Sequence, residues 1–414
     1  MTEPTAPTIA FDPTDPAFLA DPYPILDAVR ESDTPVAYAP AIDKWIVTRH
    51  ADVRACQREA RLGRVFDHMY TPEQISAQPR DPRWVNFWEA ERFSLLELEP
   101  PAHDRIRSLV SAAFTPRRVL DLRQPARQRA AELLSPLRER ASFDLLHDYA
   151  MPYSISIICE LLGADRSYEQ LFLDWAHSMV RMYEVDTSEQ HAAEADQAAR
   201  DFVACIRELI ADTRRSPRDG LISALVSVHD EDDTLSEAEI ISTVIVLLNA
   251  GHEATVNTTG NGIAALLTHP DQWQRLLAGE VEPRQAIEEL IRWNPPLQMF
   301  ERWALTEDIT IGGVAIPFGA KVAMLYGAAN RDPRVFDHPE RLDIGRANAS
   351  RHVNFGGGIH ACLGAPLARI ELEASFSLIR ELCPDLRLVS EPKHTNAFVI
   401  WGYEAVQVSA QRAA

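Results

Sequence analysis

Cysteine is scarce in this chain: five in 414 residues, at positions 56, 159, 205, 362 and 383, odd in number, far apart and without a Cys-x-x-Cys pair. That spacing excludes a disulfide framework and a structural zinc site, and a reducing cytoplasm is the expected setting. Residues 1–16 are rich in Thr, Pro and Asp and carry neither a basic nor an apolar stretch, so a flexible segment is expected there rather than a secretory signal. No apolar run reaches the length of a bilayer span. The best, Ile240 to Ala250, is broken by Ser242, Thr243 and Asn249 and soon followed by His252 and Glu253. Positive charge is also in deficit, with 41 Lys and Arg against 61 Asp and Glu and a net charge of −20, which opposes binding to nucleic acid. Internal repeats and low-complexity tracts are missing as well, and residues 17–414 read as a single domain with a small β-rich region near its start.

What is present is a large core-forming chain, 46% hydrophobic. Helical periodicity runs over 103–115, 125–141, 153–162, 191–213, 283–293 and 364–382. Strands are expected at Val36 to Tyr38, Lys44 to Thr48, Leu386 to Val389 and Ala397 to Trp401. A hairpin is expected at Ile309 to Ile316, turned by Gly312-Gly313. The fold class is therefore mainly α with small antiparallel β-sheets. The longest helix opens on a capping box, Ser236-x-x-Glu239, and continues to about Leu267. Its middle, Ala250-Gly251-His252-Glu253-Ala254-Thr255, is a polar burst between apolar turns. Gly251 permits a flat ligand or a bent backbone, while Glu253 and Thr255 can order water or move protons; a locally solvated helix face is the plainer alternative.

The most informative segment is Phe355-Gly356-Gly357-Gly358-Ile359-His360-Ala361-Cys362-Leu363-Gly364, a glycine-rich loop that delivers one cysteine to the start of an apolar helix. Glycines let backbone approach a flat ligand, and a thiolate at a helix start is favoured by the dipole and by free N–H donors. A structural cysteine beside a turn is the alternative. The pattern Phe-x-x-Gly-x-His-x-Cys-x-Gly resembles the haem-binding loop of the cytochrome P450 family. The resemblance extends to Glu289-x-x-Arg292, to Trp293-Asn294-Pro295-Pro296, to Asn330-Arg331-Asp332-Pro333 and to Phe336-x-x-Pro339-x-x-Leu342-Asp343, and it covers essentially the whole chain.

The resemblance implies a triangular-prism fold with the long central helix over haem b, and Cys362 as axial thiolate. Around it, Phe355, Gly356 and Gly364 would form the loop, and His103, Arg107, Arg302 and His360 would meet the haem propionates. Glu289 and Arg292 would lock the meander before the cysteine, a structural role. The implied activity is hydroxylation of a small, mostly apolar organic molecule by a soluble bacterial-type monooxygenase, in secondary metabolism or catabolism. The two electrons would come from a separate ferredoxin and ferredoxin reductase, with Arg107, Arg117, Arg118, Arg351 and Arg369 as the docking face. Most family members place a threonine directly after the mid-helix acid to assist proton delivery, whereas this chain has Glu253-Ala254. Thr255, a water or a substrate hydroxyl would then supply the missing hydrogen bond; a few macrolide-precursor hydroxylases of the family share the alanine and are read as using substrate and water. A peroxide-driven haem-thiolate oxygenase and a non-catalytic haem protein that binds a ligand are the competing functions. The substrate pocket is expected to use Trp84, Phe87, Trp88, Phe93, Val244, Leu247, Gly251, Leu297, Phe300 and Phe398.

Overall fold

A computed structural model describes residues 7–230 and 233–411. Its axis is the helix Glu237–Thr268, opened by the expected capping box: the Glu239 amide donates to Ser236 Oγ at 3.3 Å and the Ser236 amide to Glu239 Oε2 at 2.8 Å. This helix is buried around most of its circumference, as befits one that crosses a core rather than coats it. Helices Met151–Leu162, Glu169–Val180, Glu189–Arg215, Pro283–Trp293 and Ala365–Leu382 pack against it. The packing is close enough that a Cβ at Gly262 would lie 2.8 Å from the Phe376 ring, so glycine sets that helix spacing.

To one side lies a five-stranded sheet. Lys44–Val47 pairs antiparallel with Val36–Ala39, Val47 opposite Val36, and parallel with Lys321–Leu325, Trp45 opposite Val322. Lys321–Leu325 then runs antiparallel to Met299–Ala304, which ends against Leu62–Gly63. The sheet is therefore mixed, not purely antiparallel. Side chains alternate between its faces. Trp45, Val47, Val322 and Met324 join one apolar cluster, and Ile46, Ala323 and Leu325 join another with Phe11, Phe18, Phe398 and Trp401. The hairpin Ile309–Ile311 with Val314–Ile316 turns at Gly312 and Gly313, both with positive φ (56° and 84°). A smaller sheet joins Arg387–Leu388, Gln407–Ser409 and Phe143–Asp144.

Two expectations are corrected. Of the segment expected to be flexible, residues 7–16 are docked: the Tyr38 amide donates to Pro7 O and the Ile9 amide to Tyr38 O, and Phe11 is buried; residues 1–6 lie outside the described residues. Residues 397–401 form no strand beyond an isolated bridge of Ile400 to Leu297. The amides of Phe398, Val399 and Ile400 donate instead to the Glu184 carboxylate at 3.1, 3.0 and 2.9 Å, so a side chain takes the place of a neighbouring strand.

Glu289 and Arg292 are fully buried and joined by two hydrogen bonds of 2.7 and 2.8 Å. Arg292 also donates to the carbonyls of Asn330 and Pro339, and Glu289 accepts from the Asp343 amide and from Arg346. Removing one partner strands a charge in the core, which costs about 3–5 kcal/mol. Glu289→Gln should lower unfolding stability by that amount in chemical denaturation, whereas a loss within ~1 kcal/mol would show that the pair is not structural.

Candidate functional site

The cysteine loop is built by its glycines. Gly356 and Gly358 have φ of +67° and +65°, and a Cβ at Gly358 would lie 2.5 Å from the Gln57 carbonyl oxygen. The loop closes when the Cys362 amide donates to Phe355 O at 2.9 Å, and the helix Ala365–Leu382 starts three residues after the cysteine. The Cys362 side chain is solvent-accessible although protein atoms crowd around it. That crowding raises the thiol pKa, opposed by the Gly364 and Ala365 amides and by the charges of Arg107 and Arg369. A metal cation at the sulfur would reverse the balance, because coordination deprotonates a thiol.

Nearby, three of the four expected cofactor cations converge. The His103 and His360 rings are 4.8 Å apart, and Glu99 lies 3.2 Å from His360 Nε2 and 3.8 Å from Arg302 Nη1. Burial works against the Glu99 carboxylate, yet His360, the Arg64 amide and Arg302 together hold its pKa below the usual range. Burial lowers the pKa of both His103 and Arg302, and in each a buried nitrogen, His103 Nε2 and Arg302 Nε, has no hydrogen-bond partner. Arg107, the fourth cation, donates Nη2 to Ala361 O at 2.8 Å and so braces the cysteine loop itself. Glu99 escaped sequence reasoning; its only signal was its place before Pro100-Pro101 and the His103 helix.

A cavity of about 750 Å³ adjoins the middle of the central helix. Among the expected wall residues it is lined by Phe87, Trp88, Leu297 and Phe300. Trp84, Phe93, Val244, Leu247, Gly251 and Phe398 do not line it, which corrects the sequence reading. On the central helix the cavity face is Val246, Asn249, Ala250, Glu253 and Ala254, a stripe at helical spacing that leaves Val244, Leu247 and Gly251 turned elsewhere. The position of a Cβ on Gly251 would face Ile158 of the helix Met151–Leu162, 3.1 Å away. Phe398 packs on Phe18 at 5.0 Å and on Phe11 at 6.1 Å, while Trp84 and Phe93 lie under Arg83 and Arg92.

Glu253 lines the cavity, and burial raises its pKa to about 7, against the pull of Arg181. His177 Nδ1 stands 3.6 Å behind it. Thr255 is buried and donates its hydroxyl to Gly251 O at 3.0 Å, off the cavity wall. The expected docking arginines are also unequal. Arg117 and Arg351 are exposed, but Arg369 is held by Glu288 at 2.5 Å and Arg118 faces Asp219 at 3.7 Å.

The family model for cytochrome P450 matches residues 72–281 and 284–381. The chain is a cytochrome P450. It is 35% identical to the polyketide biosynthesis cytochrome P450 PksS of Bacillus subtilis (strain 168), over 98% of this chain and 99% of that protein. With the 6-deoxyerythronolide B hydroxylase of Saccharopolyspora erythraea it shares 36% identity over 90% of this chain and 91% of that protein. The crystal structure of P450BioI in complex with hexadec-9Z-enoic acid ligated acyl carrier protein superposes with a TM-score of 0.87 at 30% identity, covering 95% of this chain and 98% of that one.

As a P450 monooxygenase, the protein uses haem whose iron carries an axial cysteine thiolate. The residues present fit that group: an accessible thiol flanked by amide donors, and in the same region two buried basic side chains, His103 and Arg302, with unpartnered nitrogens of the kind that haem carboxylates satisfy. A hydrogen bond to a charged group contributes about 1.5–3 kcal/mol. Arg302→Leu should therefore weaken haem retention roughly tenfold or more, measured as haem transfer to excess apomyoglobin, with Arg302→Lys intermediate; unchanged transfer would remove Arg302 from the haem site.

Proposed function

We propose that Cys362 is the axial thiolate and that this P450 hydroxylates a mostly apolar organic molecule held in the 750 Å³ cavity. His103, Arg302 and His360 hold the haem propionates, and Arg107 holds the loop through Ala361. The observation that carries the reading is the accessible Cys362 sulfur at a helix start with the Gly364 and Ala365 amides aimed at it. When bound, the haem supplies activation of dioxygen with two electrons and two protons, for insertion of one oxygen into a C–H bond. The electrons come from a separate ferredoxin and its reductase, for which the exposed Arg117 and Arg351 offer positive charge. Among the described residues no helix is long and apolar enough to cross a membrane, in keeping with a cytoplasmic enzyme. The names of PksS and of 6-deoxyerythronolide B hydroxylase favour a place in secondary metabolism.

The protein's own part is to shape the cavity and ration protons. Phe87, Trp88, Val246, Leu297, Phe300 and Val399 give it apolar walls that exclude water. Glu253, with a pKa near 7, accepts a proton from the His177 side and releases it toward the cavity. Ala254 puts a methyl group on the wall and donates nothing, and the Thr255 hydroxyl is already given to Gly251 O. Substrate or an ordered water therefore supplies the hydrogen bond that a threonine would give.

In the carbon monoxide difference spectrum of the reduced holoprotein, a strongly red-shifted Soret band that Cys362→His abolishes is the expected result. An unshifted band from folded, haem-loaded protein would refute thiolate ligation. For proton delivery, Ala254→Thr should leave product formed per NAD(P)H unchanged with the native substrate; a severalfold rise would mean that substrate does not supply the bond.

A further inference from the structure

The cavity wall holds a carboxylate that oxygen activation does not use. Glu91 ends the helix Val85–Glu91, is 4% exposed, and neither of its oxygens makes a well-aligned hydrogen bond, although the Tyr183 and Ser94 hydroxyls stand close enough to favour its ionised form in part. Tyr183 stands beside it, its hydroxyl also buried without a completed hydrogen bond. Asn249, 2% exposed and on the cavity face of the central helix, has an unpartnered Oδ1. All three residues line the cavity. Its other carboxylates in this quarter are balanced, Glu97 by Arg64 at 2.8 Å and Glu301 by Lys44 at 2.5 Å. Burial, with Glu97 as like-charged neighbour, raises the Glu91 pKa to about 7, and Tyr183, Ser94 and Arg64 only partly offset this. A buried carboxylate this weakly partnered costs stability that a ligand can return, and the ligand that returns most is a cation able to donate a hydrogen bond.

The placement sets a length. Ala90 O accepts from Ser242 Oγ at 2.7 Å, so Glu91 docks at the Ser242 level of the central helix. Twelve residues at ~1.5 Å each put that level about 18 Å from Ala254 along the axis, with Asn249 about 7.5 Å from Ala254. Between them the wall is apolar, through Phe87, Val246 and Ala250.

We propose that Glu91 and Tyr183 form an anchoring subsite for a protonated amine at one end of an elongated substrate, whose body runs past Asn249 so that a carbon more than about 10 Å from the amine is presented for oxidation. This rests on the cavity being the substrate chamber. It predicts that the natural substrate is a basic amphiphile rather than a neutral or anionic one, and that Glu91 is a specificity-determining residue.

Calorimetric titration of the haem-loaded enzyme at pH 8 tests this with three probes of equal chain: N,N-dimethyldecylamine, 1-decanol and decanoate. The amine should bind at least about tenfold more tightly than the alcohol or the acid. Glu91→Gln should abolish that preference while leaving the 1-decanol affinity within about twofold, and Tyr183→Phe should reduce it in part. Equal affinity for amine and alcohol in the wild type, or an amine preference that survives Glu91→Gln, overturns the proposal. Tightest binding of decanoate overturns it as well and would place the recognition on Arg64 and Lys321. Because the heat of binding is read directly, the outcome does not depend on which residue ligates iron; the carbon monoxide spectrum reports that separately. Should Glu91→Gln fail to retain haem or helical circular dichroism, Glu91→Asp and the Tyr183→Phe titration decide the matter, both expected to weaken only the amine.

Discussion

The position of the reactive thiol depends on an ion pair that never touches it. Arg292 gathers the carbonyls of Asn330 and Pro339, and Glu289 gathers Asp343 and Arg346, so a stretch without long regular elements becomes rigid around two buried charges. From there Asn330 Oδ1 accepts the Val353 amide at 2.9 Å and Asn354 reaches Leu297 O at 3.0 Å. One residue later Phe355 O accepts the Cys362 amide. The thiol thus inherits its place through hydrogen bonds that run from buried side chains to the backbone, each of them short-range and directional. A hydrophobic core alone, being non-directional, would not hold a loop of glycines to that tolerance.

Much of this was legible in the sequence, because its signals were local. The capping box of the central helix, the Gly312-Gly313 turn and the spacing from Phe355 to Gly364 each depend on residues a few positions apart, and each has its expected form. What sequence could not carry was rotational phase. The central helix is apolar on nearly every side, so periodicity identifies it as buried without saying which stripe meets the cavity; Val244 and Leu247 are as hydrophobic as Val246. Phe398 failed as a wall residue for a related reason, since an aromatic ring serves equally well in the cluster with Phe11 and Phe18. Of the polar residues that escaped notice, Glu99 and Glu184 act on partners distant in the chain and Glu91 faces a cavity wall that is, and isolated glutamates in an acidic sequence carry no pattern.

The chain's excess of negative charge also hides a local inversion. Arg107 is oriented by Ala361 O, and a carbonyl oxygen fixes a cation's direction while cancelling little of its charge, so the Cys362 loop keeps positive charge close by inside a protein of net charge −20. That is the charge an anionic cofactor and an electron-rich sulfur both need.

The Glu184 clasp has a mechanical meaning. It ties the end of one cavity wall to the segment 398–400, and parting them would leave three backbone amides without an acceptor at once, at about 1–3 kcal/mol each. That corner of the chamber is therefore pinned, and any widening to admit a bulky molecule has to come from wall segments other than residues 184 and 398–400.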